Sequence, residues 1–466
     1  MIDSLFEKGL YLFDGTPVLN IIAIALFTAA AIRSNHMPYV VIFLVYAALH
    51  HAYAVPCLLL GDAIRLRDFH LISTPNVVIS GVAFLIVWLA FVFRDVRDYL
   101  VDDSIFTKVY LVCIGILVCT LFVENIYSDL SDFQIHLLKD STSLLATLLF
   151  AYVISIIIRH VSRPWSVYEL RAVSAVSVLV LGIAAYEVLN GFAWASGLYS
   201  NGMLYRASST MLNPNVLGLW GGLLIFFGGY LFDQNSRLKR YGYGMLLLGV
   251  IGIFITGSRS SFVFCAAVLS IASCLQWFVS GKFKHSFQYL ITFTGLFFLA
   301  CISGQYLNLI SSGFSSLQPL SERFLALPEL FFSIALEKTL GVDFLANDID
   351  QNSMLSVYGR IGVPISEGEE IYDNAYLGLI SSGLMTFYAW LLMILLFLVA
   401  GIKKFLEHKD QQGVYALSSL FGFIIIGLFI RAYQVFPVWG ISSLMLAVFI
   451  VWVTTDESVS IRKMRC

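Results

Sequence analysis

The chain has 466 residues, of which 59% are hydrophobic and 12% charged, with a net charge of −2 and a mean hydropathy of +0.84. Soluble domains carry roughly 25% charged residues and about 45–50% apolar ones, so this balance excludes a soluble globular domain and makes lipid the solvent. The near-zero net charge leaves no global field to attract nucleic acid.

Apolar runs follow one another through almost the whole sequence. A hydrocarbon core about 30 Å thick needs about 20 apolar residues in helix. The runs at 17–32, 38–60, 75–93, 107–123, 141–158, 172–193, 214–232, 241–256, 260–279, 287–303, 375–401, 414–430 and 436–454 meet or approach that length. The expected fold class is therefore an all-α polytopic membrane helix bundle of about 12–13 spans, with residues 1–466 forming a single membrane domain.

The N-terminal stretch carries Asp3, Glu7 and Asp14 without a basic region, unlike a cleavable signal peptide. With the C-terminal Arg462, Lys463 and Arg465 placed in the cytoplasm, alternation puts Arg94, Arg97, Arg159, Arg171, Lys239, Arg240, Lys403, Lys404 and Lys409 there too. This is the orientation that the positive-inside rule favours. Residues 304–373 then form one long non-spanning segment on the outer face, far above the usual loop length of about 4–6 residues. Its run RFLALPELFFSIAL reads as a short amphipathic helix lying on the bundle.

Six of the seven cysteines lie in apolar runs, where a thiol acts as a small hydrophobe. With no CxxC pair and no Cys/His cluster, neither a disulfide framework, a metal site nor a cofactor is expected.

The informative residues are arginines on the outer side. Arg206 precedes a span, Arg259 sits in the very short turn TGSRSS, Arg323 and Arg360 lie in the long loop, and Arg431 closes a span. A guanidinium near the bilayer is costly unless it is paired or faces a polar cavity, and its fork suits a bidentate grip on phosphate oxygens. Pairing with loop carboxylates such as Glu322, Glu329 or Asp343 is the plain alternative. The turn around Arg259 is too short to offer such a partner locally.

Three ordered pieces of sequence carry a resemblance. MLNPNVLGLWGGLLI starts one span, TGSRSSFVFCAAVLSI starts another, and RFLALPELFFSIALEKTLGVDF leads to YDNAYLGLISSGLMTFYAWLL at the head of a third. From Arg206 to about Gly401 the chain resembles the superfamily of O-antigen and capsule polysaccharide polymerases and O-antigen ligases (Wzy/WaaL-like). The first 200 residues resemble it only in being many spans.

That resemblance implies a GT-C-like membrane glycosyltransferase of the bacterial inner membrane, with its active site facing the periplasm and 304–373 as its large, partly helical periplasmic loop. Its substrates would be undecaprenyl-diphosphate-linked glycans, taken from among the membrane lipids, and a chain-length regulator and a flippase would be its companions. Arg206, Arg259, Arg323 and Arg360 would bind diphosphate or glycan, with Asn215, Tyr372 and Asn374 also touching substrate. Arg259 would stabilise charge on the departing diphosphate. Asp373 would act as the base for the acceptor hydroxyl, or equally serve as a helix N-cap.

In the superfamily's ligases a His commonly precedes the Asn of the last motif. Here that residue is Asp373, and 304–373 contains no His. The departure favours a polymerase over a ligase to lipid A core or protein. A transporter for the same lipid-linked glycans would place charge near the midplane, whereas here the unusual charges gather towards the outer face.

His50 and His51 read as hydrogen-bonded bundle residues, and Tyr186, Tyr205 and Tyr358 as interfacial belt residues. Glu187 is a carboxylate inside a span near the outer face, within reach of Arg206, Arg259 or a sugar. Asn213 and Asn215 flank Pro214 and are explained by capping unless they touch substrate.

Overall fold

The computed structural model describes residues 39–49, 84–99, 104–126, 132–161, 167–189, 207, 209–211, 214–234, 238–281, 287–288, 290–291, 294–295, 376, 379, 384–429 and 436–455. Among these residues the secondary structure is entirely helical, without a strand. The stretches Ile105–Val123, Glu169–Leu189, Ser260–Ser280 and Leu384–His408 are long and apolar enough to cross a membrane, and shorter apolar helices accompany them. Several of their large side chains stand in the open, with Ile105 82%, Phe122 67%, Leu189 85% and Val399 65% exposed. A soluble surface rarely tolerates contiguous apolar exposure of this kind. The protein is a helical membrane protein.

The chain divides into two compact units. The first comprises Met1–Val101, Val153–Ser270 and Lys284–Gly313, and the second Asp102–Tyr152, Ile271–Phe283 and Phe314–Cys466.

The first unit opens with α1 (Tyr39–Ala48), buried along its whole length, and α2 (84–96). The two run antiparallel. Tyr46 stacks on Phe84 with centroids 3.8 Å apart, while Trp88 Nε1 donates to the Tyr39 carbonyl at 3.0 Å and the Tyr39 hydroxyl donates to Asp95 at 2.5 Å. Arg94 Nε also donates to Asp95, at 2.8 Å. Asp95 lies just past the apolar run 75–93. The Arg94 guanidinium and then the Tyr39 hydroxyl hold its carboxyl below the ordinary carboxylate range, against the opposing effect of partial burial.

A depressed carboxyl contributes stability above its unfolded pKa and loses it as pH falls through the folded value. The thermal midpoint is therefore expected to decline below about pH 4. Asp95→Asn should flatten that acid limb modestly, because Arg94 is solvent-exposed. An identical acid limb in the variant would show that the pairing is silent.

Three further helices set the frame of this unit, α5 (Val167–Leu189), α6 (Pro214–Gln234) and α7 (Lys239–Thr256); α3 (Ile105–Ile126) and α4 (Asp132–Ile156), which precede them in sequence, belong mainly to the second unit. Helices α6 and α7 pack antiparallel through glycine. A Cβ on Gly249 would meet the Gly221 carbonyl at 2.5 Å, and one on Gly228 would meet the Gly242 carbonyl at 2.8 Å. Lipid provides no hydrophobic force between helices, so close backbone approach through small residues supplies the attraction. Along α5, Arg171 Nε donates to the Tyr241 hydroxyl at 3.2 Å, and farther on Leu181 abuts Gly252. Helices α5 and α7 therefore run parallel. The C-termini of α5 and α7 and the N-terminus of α6 share one end of the unit, opposite Arg171 and Lys239.

The second unit contains α3 (Ile105–Ile126), most of α4 (Asp132–Ile156), α9 (Leu384–His408), α10 (Gln411–Phe429) and α11 (Phe436–Thr454). Helix α8 (Arg259–Ser280) follows α7 in sequence, and its residues are divided between the units after Ser270. The core of the second unit is aromatic. Phe397 of α9 lies 5.5 Å from Tyr110 and 6.1 Å from Phe449, and Gly401 leaves room for the Phe449 ring.

Several polar side chains inside this unit find backbone partners, which offsets the cost of burying them in a low-dielectric interior. Tyr110 donates to the Leu148 carbonyl at 2.7 Å and Ser443 to that of Thr147 at 3.0 Å. Asp410 N-caps α10 through the Gly413 amide at 2.7 Å. Lys404 Nζ closes α11 by donating to the carbonyls of Trp452 and Thr455, both at 2.7 Å, where a cation also suits the negative end of a helix.

Helix α4 begins at Asp132, before the apolar run expected from 141, and passes into a π turn at Ile157–Val161. The run expected at 17–32 and the long loop 304–373 lie outside the described residues. Only a few helical residues are described within 287–303.

Candidate functional site

The polar end of the first unit is built around the turn Thr256–Ser261, in which every residue type has a local reason. Thr256 ends α7 with its hydroxyl on the Ile253 carbonyl at 2.9 Å, and that oxygen accepts the Ser258 amide at 3.3 Å. Gly257 adopts the left-handed conformation, φ 56°, with its amide on the Phe254 carbonyl. A side chain there would be strained. Ser258 then N-caps α8 by accepting the Ser261 amide at 3.3 Å. Arg259 is the first residue of α8.

Asn215, at the start of α6, is tied to this turn. Its Oδ1 accepts the Ser258 hydroxyl at 3.0 Å, and its carbonyl accepts the Ser261 hydroxyl at the same distance. Ser258 Oγ lies 2.8 Å from Ser261 Oγ and 3.2 Å from Ser260 Oγ. Gly218, one turn along α6, makes the approach possible, because a Cβ there would meet the Ser258 Cβ at 2.9 Å. The expectation that Asn215 matters acquires a specific geometry: it locks the reversal from which Arg259 emerges.

A second set of contacts flanks the first. Glu187, near the end of α5, is fully buried. Its carboxylate accepts the Ser209 amide at 2.7 Å. Ser209 has φ 51°, unusual for a residue with a Cβ, and its hydroxyl donates to the Val180 carbonyl at 2.6 Å. Thr210 donates to the Ala48 carbonyl at 2.6 Å. The Ala207 amide reaches the Ile255 carbonyl at 3.4 Å. The turn Ser209–Met211 is thereby fastened to α5 and α1, and the chain just before it to α7.

Of the residues singled out in the sequence, the structure brings Asn215 and the start of α8 together. Arg206, Arg323, Arg360, Tyr372, Asp373 and Asn374 lie outside the described residues. Sequence reasoning named Glu187 but missed its partner Ser209, and it missed Ser258 as the hub of the turn. The S-x-x-S spacing of Ser258 and Ser261 at a helix start was the available signal.

What this arrangement offers chemically is a rigid, hydroxyl-lined reversal presenting a helix N-terminus headed by arginine. Comparison with family models, with curated proteins and with solved structures finds no match to this chain.

Proposed function

We propose that this chain is an inner-membrane glycosyltransferase that polymerises undecaprenyl-diphosphate-linked oligosaccharide repeats, of O-antigen or a related surface polysaccharide, at the periplasmic face. The observation that carries the reading is Arg259 at the first position of α8, on a turn locked by Asn215, Gly257 and Ser258. An anion at that point would meet the N-terminus of α8, and arginine is the residue type whose planar fork suits phosphate oxygens. The ordered motifs around it resemble those of the polymerase and ligase superfamily.

In the proposed reaction a sugar hydroxyl of the incoming repeat attacks the anomeric carbon of the growing chain. The new glycosidic C–O bond forms as the bond to the carrier's diphosphate breaks. The electron pair leaves on the lipid diphosphate, and the hydroxyl proton passes to Asp373. Arg259, with Arg206, Arg323 and Arg360, would bind the diphosphate and stabilise its charge.

The test is purified protein with short undecaprenyl-diphosphate-linked repeats, with the products resolved by glycan length. A ladder is expected, and Asp373→Asn should lower its rate by about 10²–10⁴-fold, the usual worth of general base catalysis. A full-rate ladder in Asp373→Asn would leave that residue as a helix cap. Transfer only to added lipid A core or protein would replace the polymerase with a ligase. Labelled lipid crossing liposomes without any new glycosidic bond would make the protein a transporter.

A further inference from the structure

We propose that Glu187 is a positioning residue: its buried carboxyl group holds the Ser209 amide, and through it the turn Ser209–Met211. The link to catalysis rests on the glycan-transfer reading above, whereas the clamp itself rests on geometry alone.

Four hydrogen bonds converge on Ala207, Ser209 and Thr210. Glu187 takes the Ser209 amide, Val180 takes the Ser209 hydroxyl, Ala48 takes the Thr210 hydroxyl and Ile255 takes the Ala207 amide. The acceptors come from α5, α1 and α7, so the turn is stapled to three helices. Ser209 opens a single 3₁₀ turn, and the first amide of such a turn has no partner within it. A neutral oxygen would satisfy that amide. A carboxyl group at 0% exposure inside an apolar helix is an expensive acceptor for that amide.

That bond is spent on an unfavourable conformation. Ser209 sits at φ 51°, where a residue with a Cβ persists only if its surroundings over-determine it. Ala207, just before that turn, is tied to the last turn of α7, and Asn215 at the start of α6 holds Ser258 just beyond it. Glu187 thus acts on the same reversal that Asn215 locks, without itself being assigned to substrate.

The test uses full-length protein in detergent, with two readouts. Ala207 is buried, so the Arg206–Ala207 peptide bond should resist trypsin in the wild type. Glu187→Ala is expected to speed cleavage after Arg206 at least about tenfold, because cleavage tracks local opening. In the elongation assay it should lower kcat about 10²-fold with KM nearly unchanged, the cost of a displaced group. Glu187→Gln keeps an oxygen for the amide and should restore both readouts to within a few-fold.

A purely structural role would reduce the yield of folded protein and leave kcat of the folded fraction intact, which overturns the proposal. So does Glu187→Ala with wild-type proteolysis and turnover. If Glu187→Ala does not fold, Glu187→Asp serves instead: its shorter side chain withdraws the acceptor, and wild-type cleavage in that variant overturns the clamp. Faster cleavage in the variants alongside a wild type that forms no glycosidic bond upholds the clamp and removes the transfer reading.

Discussion

Gly249→Ala is expected to destabilise the protein by about 1–3 kcal/mol, the usual cost of overpacking, and Gly249→Leu to abolish its recovery as a monodisperse species. The added Cβ would meet the Gly221 carbonyl at 2.5 Å and the Ile225 amide nitrogen at 2.9 Å. Both are backbone atoms, so no rotamer change relieves the clash and α6 must move away from α7. Movement of α6 would also carry Asn215 away from Ser258. Gly244→Ala is the control, since nothing lies within 4 Å of the Cβ it would add. Thermal melts followed by size-exclusion chromatography check the prediction; a Gly249→Ala melt equal to that of Gly244→Ala would mean that the glycine contact carries no stability.

The second large effect is expected at Arg259. On the proposed reading, Arg259→Ala should reduce elongation about 10²–10³-fold, the range seen when one preorganised charge-stabilising donor is lost. Arg259→Lys should fall between the two, because an ammonium keeps the charge but not the planar fork. The same substitution should leave the melting temperature unchanged or slightly raised, since a cation at a helix N-terminus opposes the dipole. Loss of activity without loss of stability separates a functional arginine from a structural one. Unchanged turnover in Arg259→Ala would remove it from the reaction.

Much of the helical layout could be read from hydropathy alone. The apolar runs at 107–123, 172–193, 260–279 and 375–401 correspond to α3, α5, α8 and α9, because a lipid-solvated helix must be apolar over its full width. The early start of α4 escaped because DFQIHLLKD, at 132–140, is helix-compatible without being apolar. The brevity of the TGSRSS turn was legible, and its φ-positive glycine and capping serine fit what a two-span reversal requires.

The pairing of Gly221 with Gly249 was not legible. Glycine spacing within α6 and α7 suggests a small-residue face on each, but the register between them is a tertiary fact. The clamp at Ser209 was hidden for a similar reason. Nothing in a serine announces a left-handed backbone, and its carboxylate partner lies 22 residues away in sequence. Arg206 was singled out by its place on the outer side and Asp373 through the resemblance of its motif, and both lie outside the described residues.

On the proposed reading the protein forms glycosidic bonds at the expense of a lipid diphosphate. Counting undecaprenyl diphosphate released against glycosidic bonds formed, in one reaction of purified protein, checks this. One carrier is expected for each linkage added, with both quantities falling together in Arg259→Ala. Linkages without released carrier, or carrier moved between leaflets with its glycan still attached, would contradict it.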